Sequence, residues 1–160
     1  MPLILIAAAL IAALAAVPVP TASAAHDASE RRLVTLIAAD RAAHGLPPVR
    51  PSRRLARAAD RHATRMARAD VLWHRSGRSL LRTAGSGWTG EVLARVASPQ
   101  RALAAWLRSS GHRAVLRARQ ARVVGVAIRG NVLVAHFAGR SIASSVVSAV
   151  TKASMTTGSN

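Results

Sequence analysis

Glu91 has the strongest chemical signal in this sequence, because it is an isolated acid among bases. The chain after Asp70 contains 13 basic residues and a single acidic one, Glu91. A compact fold would bring this carboxylate near His74, His112 or an arginine. In a structural interpretation, Glu91 is buried and accepts hydrogen bonds from backbone amides or an arginine. In a functional one, His74 and His112 bind a divalent metal, and Glu91 serves as ligand, orienting group or general base.

Other kinds of catalytic chemistry have little support in the sequence. The chain has no cysteine and no Gly-x-Ser-x-Gly elbow, and Gly85-Ser86-Gly87 lacks the strand and the Lys-Ser or Lys-Thr of a phosphate loop. A serine hydrolase would need Ser109 or Ser110 close to His112. We expect His62, on an apolar helix face, to be a hydrogen-bonded core residue. The three tryptophans are also expected in the core: Trp73, Trp88 and Trp106.

The charge of the chain is strongly positive. It has 23 basic residues, all but one of them arginine, against 6 acidic ones, for a net charge of +17. Such a surface attracts anionic polymers and membranes, although a bias toward arginine and alanine codons would produce the same composition. The second predicted helix carries many of these arginines but no interleaved aromatic residues or nucleic-acid motif. Nucleic acid is therefore the partner that we least expect.

Residues 1–24 have the pattern of a signal peptide. From Leu3 to Val17 nearly every residue is Leu, Ile, Val or Ala, a run shorter than the roughly 20 residues that cross a bilayer. Ala22-Ser23-Ala24 then has the small-x-small spacing of a cleavage site. We expect a secreted, extracellular protein with no membrane span after cleavage. The alternative is a retained anchor helix, which Pro18 and Pro20 would interrupt.

The helices that must position these residues lie in one predicted domain, 30–140, between a short linker at 25–29 and a loosely ordered tail at 141–160. The first helix should open at Asp27-Ala28-Ser29-Glu30, which has capping-box spacing, and end near Gly45. A second should follow Ser52, with an inward face of Leu55, Ala59, His62 and Met66.

The second half of the domain mixes strands and helices. We expect a loop at 75–87, a short strand at 88–96, and a helix that starts at Ser98-Pro99 and ends before Gly111, with His112 just beyond it. Two β-branched runs at 122–129 and 132–137 flank Gly130-Asn131, which predicts a hairpin. Helices and strands interspersed in this way predict a small α/β layered domain.

Several segments together resemble the secreted bacterial branch of the CAP superfamily, whose domains are also called SCP domains. That superfamily includes cysteine-rich secretory, antigen 5 and pathogenesis-related proteins. The two predicted N-terminal helices are similar to its first two helices, and the resemblance covers about residues 30 to 140. The segments that carry it are Trp73-His74, Gly90-Glu91-Val92-Leu93-Ala94, the run from Ala105 to Ala114 around Gly111-His112, and Val124-Gly125-Val126-Ala127.

The resemblance implies an α+β fold, a three-layer α-β-α sandwich with a cleft on one side. It also implies a cleft tetrad of two His and two Glu, whose histidines can hold Zn²⁺ or another divalent cation. The matching positions here are His74, Glu91 and His112. The second Glu is missing, and Arg108 and Ser109 stand where it would fall.

Three functions remain open from the sequence. The first is an extracellular binding or interaction module with a weak metal cleft at His74, Glu91 and His112, whose partner is an anionic cell-wall polymer, a lipid or a protein. The second is a metal-assisted hydrolase with Glu91 as general base. The third is an electrostatic binder of an anionic wall polymer, a membrane or nucleic acid.

Overall fold

A β-hairpin lies at the centre of the structure, a computed structural model that describes residues 22–85 and 87–140. Within these residues a four-stranded sheet has the order β1-β3-β4-β2, with β1 parallel to β3 and the other neighbours antiparallel. The elements in chain order are α1 (Ala22–Ala43), β1 (Arg50–Pro51), α2 (Arg53–Ala69), α3 (Gly77–Ala84), β2 (Trp88–Arg95), α4 (Pro99–Arg108), α5 (Ser110–Leu116), β3 (Ala121–Arg129) and β4 (Val132–Gly139).

The hairpin turn forms where the sequence predicts it. Gly130 has a φ of 58°, which glycine adopts at little cost, and β3 and β4 then pair from Arg129 and Val132 onward. Strand β2 pairs with the other edge of β4, so that Glu91 lies opposite His136.

Helices cover both faces of the sheet. On one face α2 packs against alternate residues of β2, β3 and β4, and on the other α1, α4 and α5 pack against the residues between them. The strands are therefore apolar along most of their length instead of alternating with polar residues. This arrangement confirms the predicted α+β sandwich of three layers. The residues of α2 that were expected to face inward are all buried: Leu55, Ala59, His62 and Met66.

The N-terminal boundary of the domain differs from the expected one. Helix α1 begins at Ala22, so that the linker expected at 25–29 is helical. Alanine has the highest helix propensity and extends the helix upstream of the capping box. The carboxylate of Glu30 accepts a hydrogen bond from the backbone amide of Ile128 (3.1 Å), and Glu30 therefore ties α1 to β3 instead of capping a helix. Residues 1–21 of the signal peptide expected at 1–24, and the tail expected at 141–160, lie outside the described residues.

Two short helices replace irregular structure in the prediction. The loop expected at 75–87 contains α3, whose N-cap Ser76 accepts a hydrogen bond from Ser79 N (3.3 Å). His112, expected just past a helix, lies in the first turn of α5, because Ser109 ends α4 and caps the next helix. Helices of seven or eight residues are too short to show a clear apolar period. Across the described ranges, no helix is long and apolar enough to span a membrane.

Gly125 sets how closely α2 approaches the sheet. A Cβ atom on this residue would overlap the backbone of Leu55 and Ala56 in the first turns of α2. The glycine therefore allows the helix to lie directly on β3, and α2 packs more extensively on β3 than on any other strand.

Arg41 joins the end of α1 to two loops. Its side chain is fully buried, and its guanidinium donates to the carbonyl oxygens of Pro47 (2.7 and 3.1 Å), Leu116 (2.7 Å) and Ala118 (3.1 Å). The planar fork of arginine suits several carbonyl acceptors at once, and these bonds offset the cost of burying its charge. Nothing in the sequence distinguishes Arg41 from the other arginines.

We expect Arg41→Ala to lower the free energy of unfolding by about 3 kcal/mol or more, because it leaves three carbonyl oxygens without their donor and opens a cavity. Urea denaturation would measure the loss. The control is Arg32→Ala, an exposed arginine of the same helix, which should change stability by less than about 0.5 kcal/mol. Equal effects of the two substitutions would contradict a structural role for Arg41.

Candidate functional site

The candidate site is built around one row of residues across the sheet. Glu91 of β2, His136 of β4 and Gly125 of β3 lie side by side in the strand register. Their alternation with the neighbouring strand residues places them on the face covered by α2. Because Gly125 has no side chain, the row leaves room for α2, which contributes His62.

Glu91 is a buried carboxylate with three hydrogen-bond donors, and its side chain is only 2% exposed. Its Oε1 accepts from His74 Nδ1 and from the backbone amide of Arg75, both at 2.9 Å. Its Oε2 accepts from His136 Nε2 at 2.8 Å. His62 Nε2 lies 3.7 Å from the same oxygen and donates to the carbonyl of Trp73 at 2.8 Å. We call Glu91, His62, His74 and His136 the Glu91 cluster.

These bonds decide which nitrogen of each imidazole carries a proton. An ionised carboxylate and a carbonyl oxygen only accept, so His74 donates through Nδ1 and His62 through Nε2. In neutral His74 the proton is on Nδ1, and Nε2 keeps a free lone pair. A carboxylate that binds one ring nitrogen in this way orients the other toward a metal or ligand. The buried Nδ1 atoms of His62 and His136 have no hydrogen-bond partner among the described residues.

The electrostatics of the cluster favour an ionised Glu91 and a neutral His62. Burial on its own would raise the pKa of Glu91, but the hydrogen bonds from His136, Arg75 and His74 outweigh it and lower that pKa below its usual value. Burial lowers the pKa of His62, and the negative charge of Glu91 opposes that shift only in part.

His112 lies beside His74 at the surface. Their ring centroids are 6.0 Å apart with the planes tilted by 45°, and the His74 side chain is 58% exposed. Partial burial, followed by the neighbouring His74, lowers the pKa of His112, which keeps its imidazole neutral at physiological pH. We call His74 and His112 the imidazole pair. Three consecutive exposed apolar residues directly precede His74 in the chain, and we call Val71, Leu72 and Trp73 the apolar rim.

The donor set of the imidazole pair fits a divalent metal in a limited way. Neutral imidazoles are ligands that Zn²⁺ prefers, and metal-binding histidines commonly donate their other ring N–H to a carboxylate, as His74 does to Glu91. In the part of the chain that the structure describes, however, no three His, Cys, Asp or Glu side chains are grouped as metal ligands. The protein would therefore supply two ligands, and water would complete the coordination.

The structure brings together more of the site than the sequence indicated. Glu91 is buried, as the structural interpretation expected, and it contacts His74, as the functional one expected. His112 approaches His74 and not Glu91. His62 is the hydrogen-bonded core histidine that was expected, but it and His136 were not predicted to surround Glu91. Only the strand register, which pairs Glu91 with His136, could have revealed the latter.

The expectation of a buried Trp73 was wrong, and the expectation of Ser109 as a nucleophile loses support. Trp73 was expected in the core but is 39% exposed, whereas Trp106 is fully buried and donates from Nε1 to the carbonyl of Leu93 (2.8 Å). Ser109, one candidate nucleophile, uses its hydroxyl to cap α5 by accepting from the His112 amide (3.4 Å). This backbone contact gives Ser109 a helix-capping role.

We expect Glu91→Gln to destabilise the protein by about 3 kcal/mol at pH 7, because an amide places an NH₂ group against one of the donors that now bind a carboxylate. The change also removes the acceptor that fixes His74, so the ¹⁵N chemical shifts of the His74 ring should move toward mixed tautomers. The control is Asp27→Asn, an exposed acid of α1. Unchanged His74 shifts in a folded Glu91→Gln variant would contradict the orienting role of Glu91.

Stability should also fall as the pH is lowered from about 7.5 to 5.5. The lowered pKa values of His62 and His112 mean that the unfolded chain binds protons first in this range, so protonation favours unfolding. The slope is at most about 1.4 kcal/mol per pH unit for each group. The lowered pKa of Glu91 extends the loss of stability below about pH 4.5 in the same direction.

Urea denaturation at a series of pH values would measure this loss of stability, and His62→Gln should flatten the curve between about pH 7.5 and 5.5. A free energy of unfolding that is constant or rises on acidification would refute this electrostatic description.

Solved structures with the same architecture come from three bacteria. An extracellular protein containing an SCP domain from Bacillus anthracis has a TM-score of 0.67 at 24% identity, over 77% of this chain and 45% of that one. An outer surface protein from Borrelia burgdorferi has a TM-score of 0.63 at 22% identity, over 71% of this chain and 93% of that one. A cysteine-rich secretory protein from Staphylococcus aureus has a TM-score of 0.64 at 16% identity, over 76% of this chain and 40% of that one.

These likenesses establish the fold, and a family model extends them to the sequence. The structural alignment with this chain covers less than half of the Bacillus protein and less than half of the Staphylococcus protein. A search of curated proteins finds no match. The model of the CAP family, described as the cysteine-rich secretory protein family, matches residues 34–131, which include α2, the whole Glu91 cluster except His136, and the imidazole pair. With this sequence match and the three-layer fold together, the chain belongs to the CAP family.

Proposed function

We propose that this CAP-family chain is a secreted, extracellular binding module that acts through the surface formed by the imidazole pair and the apolar rim. One observation carries the proposal: buried Glu91 binds His74 Nδ1 at 2.9 Å and so presents an oriented, exposed imidazole beside His112. The use of a scarce buried acid to orient a surface histidine supports a ligand-binding role for this surface.

Secretion is supported by two independent observations. The sequence begins with a signal-peptide pattern at 1–24, and two of the similar solved structures are described as an extracellular and an outer surface protein. The chain also has no cysteine, so its stability outside the cell would depend on its core and on buried contacts such as those of Arg41.

The apolar rim supports a binding role. Val71, Leu72 and Trp73 are three of the four large apolar residues that are exposed in the described part of the chain, and they immediately precede His74. Exposed apolar residues grouped beside polar ligands are typical of sites that bind a protein or a lipid. The rim would bury the partner's apolar surface, and the imidazole pair would bind a polar group or a shared metal ion.

We further propose that His74 and His112 bind one Zn²⁺ or another divalent cation weakly. When bound, such an ion would act as a Lewis acid that attracts an oxygen ligand from the partner. Structural zinc sites have four protein ligands, whereas this site would supply two imidazoles and no carboxylate. The bound ion would therefore exchange readily with solvent instead of holding the fold together. The lowered pKa of His112 favours metal binding, because little proton release is needed at neutral pH.

The geometry favours Glu91 as a positioning residue over a general base for a metal-assisted hydrolase. A general base must reach the proton that it removes, directly or through one water. The Glu91 side chain is 2% exposed, and its oxygens already accept three hydrogen bonds. These contacts support binding in preference to hydrolysis as the function of the cleft.

Calorimetric titration of the full chain with Zn²⁺ at constant salt tests the metal proposal. We expect one site per chain, and a loss of affinity of about tenfold or more in both His74→Ala and His112→Ala, because each removes one of two ligands. His44→Ala is the matched control. This histidine is exposed just after α1, and its ring Nδ1 bonds the carbonyl of Asp40 and not Glu91.

The outcomes separate the possible interpretations. Absence of binding in folded wild-type protein would overturn the metal proposal and leave the cleft as a site for polar and apolar groups. An equal loss in His44→Ala would show that Zn²⁺ binds surface histidines in general. Loss in His112→Ala and not in the control would support the site.

A further inference from the structure

A second site lies between α2 and α3 and involves none of the metal-binding candidates. It is a pocket of about 420 Å³, within the range of small-ligand sites. Its lining consists of five arginines and two hydroxyl residues: Arg54, Arg57, Arg61, Arg75, Arg82, Ser79 and Thr83. We call it the arginine pocket.

Hydrogen bonds hold two of these arginines in place before any ligand binds. Arg75 Nη2 donates to Ser79 Oγ (2.7 Å), to Ser79 O (3.0 Å) and to Thr83 Oγ1 (3.0 Å). Arg54 Nη2 crosses from α2 to the carbonyl of Arg82 at the end of α3 (3.0 Å). The pocket is therefore a built feature, in which one guanidinium is held by α3 and another links α2 to α3.

The positive charge of the pocket is not neutralised by its own lining. Glu91 is the carboxylate whose charge reaches Arg75, and its oxygens are already bound by His74, His136 and a backbone amide. Among residues 22–85 and 87–140, the ion pairs formed by arginine use Arg95, Arg117 and Arg129, all outside the pocket.

The chemistry of the lining selects among anions. Five guanidinium groups around one concavity supply more donors than the two oxygens of a single carboxylate can accept. Consecutive phosphates of one chain offer more acceptor oxygens, at different positions along the arginines. No aromatic side chain is among the lining residues, so a nucleobase would have no stacking surface. The arginines of α2 also continue past the pocket at spacings of three and four residues: Arg54, Arg57, Arg61, Arg65 and Arg68. This stripe is about 21 Å long and suits several phosphates on one flexible chain.

We propose that the arginine pocket and the adjoining stripe of α2 bind a phosphate-bearing polyol chain, with one phosphate seated in the pocket and its neighbours along the helix. The site goes beyond the proposed metal cleft and does not depend on it. It gives the protein a contact to an anionic polymer that is separate from the partner bound by the imidazole pair.

The test is a titration of the full chain with a synthetic glycerol phosphate oligomer, at a constant ionic strength of about 0.15 M, where exposed charges are screened beyond about 8 Å. The test variant is Arg57→Gln/Arg61→Gln, two exposed pocket arginines whose side chains form no hydrogen bond with another described residue. The control is Arg101→Gln/Arg108→Gln, which removes two equally exposed charges from α4. We expect the pocket variant to lose about tenfold or more in affinity and the control less than about twofold.

Several results would overturn the proposal. Equal losses in the two double variants would mean that binding follows total charge, and no binding of the oligomer to wild type would remove the site. Tighter binding to a thymidine oligonucleotide with the same number of phosphates would assign the pocket to nucleic acid. Pocket-dependent binding to phosphatidylglycerol vesicles but not to the free oligomer would make a lipid headgroup the source of the phosphate. Unchanged oligomer binding in His112→Ala would confirm that the two sites are independent.

Discussion

The buried negative charge of Glu91 is the constraint on which the site depends. A carboxylate removed from water needs donors on both oxygens, and here they come from the β4 strand, from the segment after α2 and from a surface histidine. These donors belong to two distant parts of the chain, strand β4 and residues 74–75. The strand register, the path of residues 74–75 and the tautomer of His74 are thus coupled through one functional group. A change at Glu91 would therefore affect the sheet and the imidazole pair together.

Four other acids of this arginine-rich chain also join elements that are distant in sequence. Glu30 binds the β3 backbone, Asp40 pairs with Arg117 beyond α5, Asp60 with Arg129 at the hairpin, and Asp70 with Arg95 at the end of β2. Nearly every carboxylate joins two elements that are distant in sequence. Apart from buried Arg41, most arginines of the described residues that form no ion pair are exposed, where their charges repel one another but are available to anions. The arginines paired with acids hold separate elements together, and the exposed arginines without such a pair are the ones that can bind an anion.

Much of the fold could be predicted because it rests on local signals. The Gly130-Asn131 turn, the Ser52 and Ser98 caps and the apolar face of α2 specify their elements within a few residues. What the sequence did not reveal depends on contacts between distant residues. Arg41 differs from the other arginines only in the loops that fold around it, and His136 joins Glu91 only through the pairing of β2 with β4. His74 and Glu91 could be identified because an isolated acid requires a partner, whereas His62 has the pattern of any core residue.

Gly125 has a consequence for how the sequence can change. Alanine and arginine codons each differ from glycine codons by a single nucleotide, and these two residues dominate the composition of the chain. At an exposed position such a replacement would be tolerated, and the many surface arginines of α2 are examples of residues under little steric constraint. At Gly125 even the smallest side chain would collide with the backbone of α2 and separate that helix from the row containing Glu91 and His136. A mutational bias toward alanine and arginine can therefore be tolerated at exposed positions but not at Gly125, where only the hydrogen atom of glycine fits against α2.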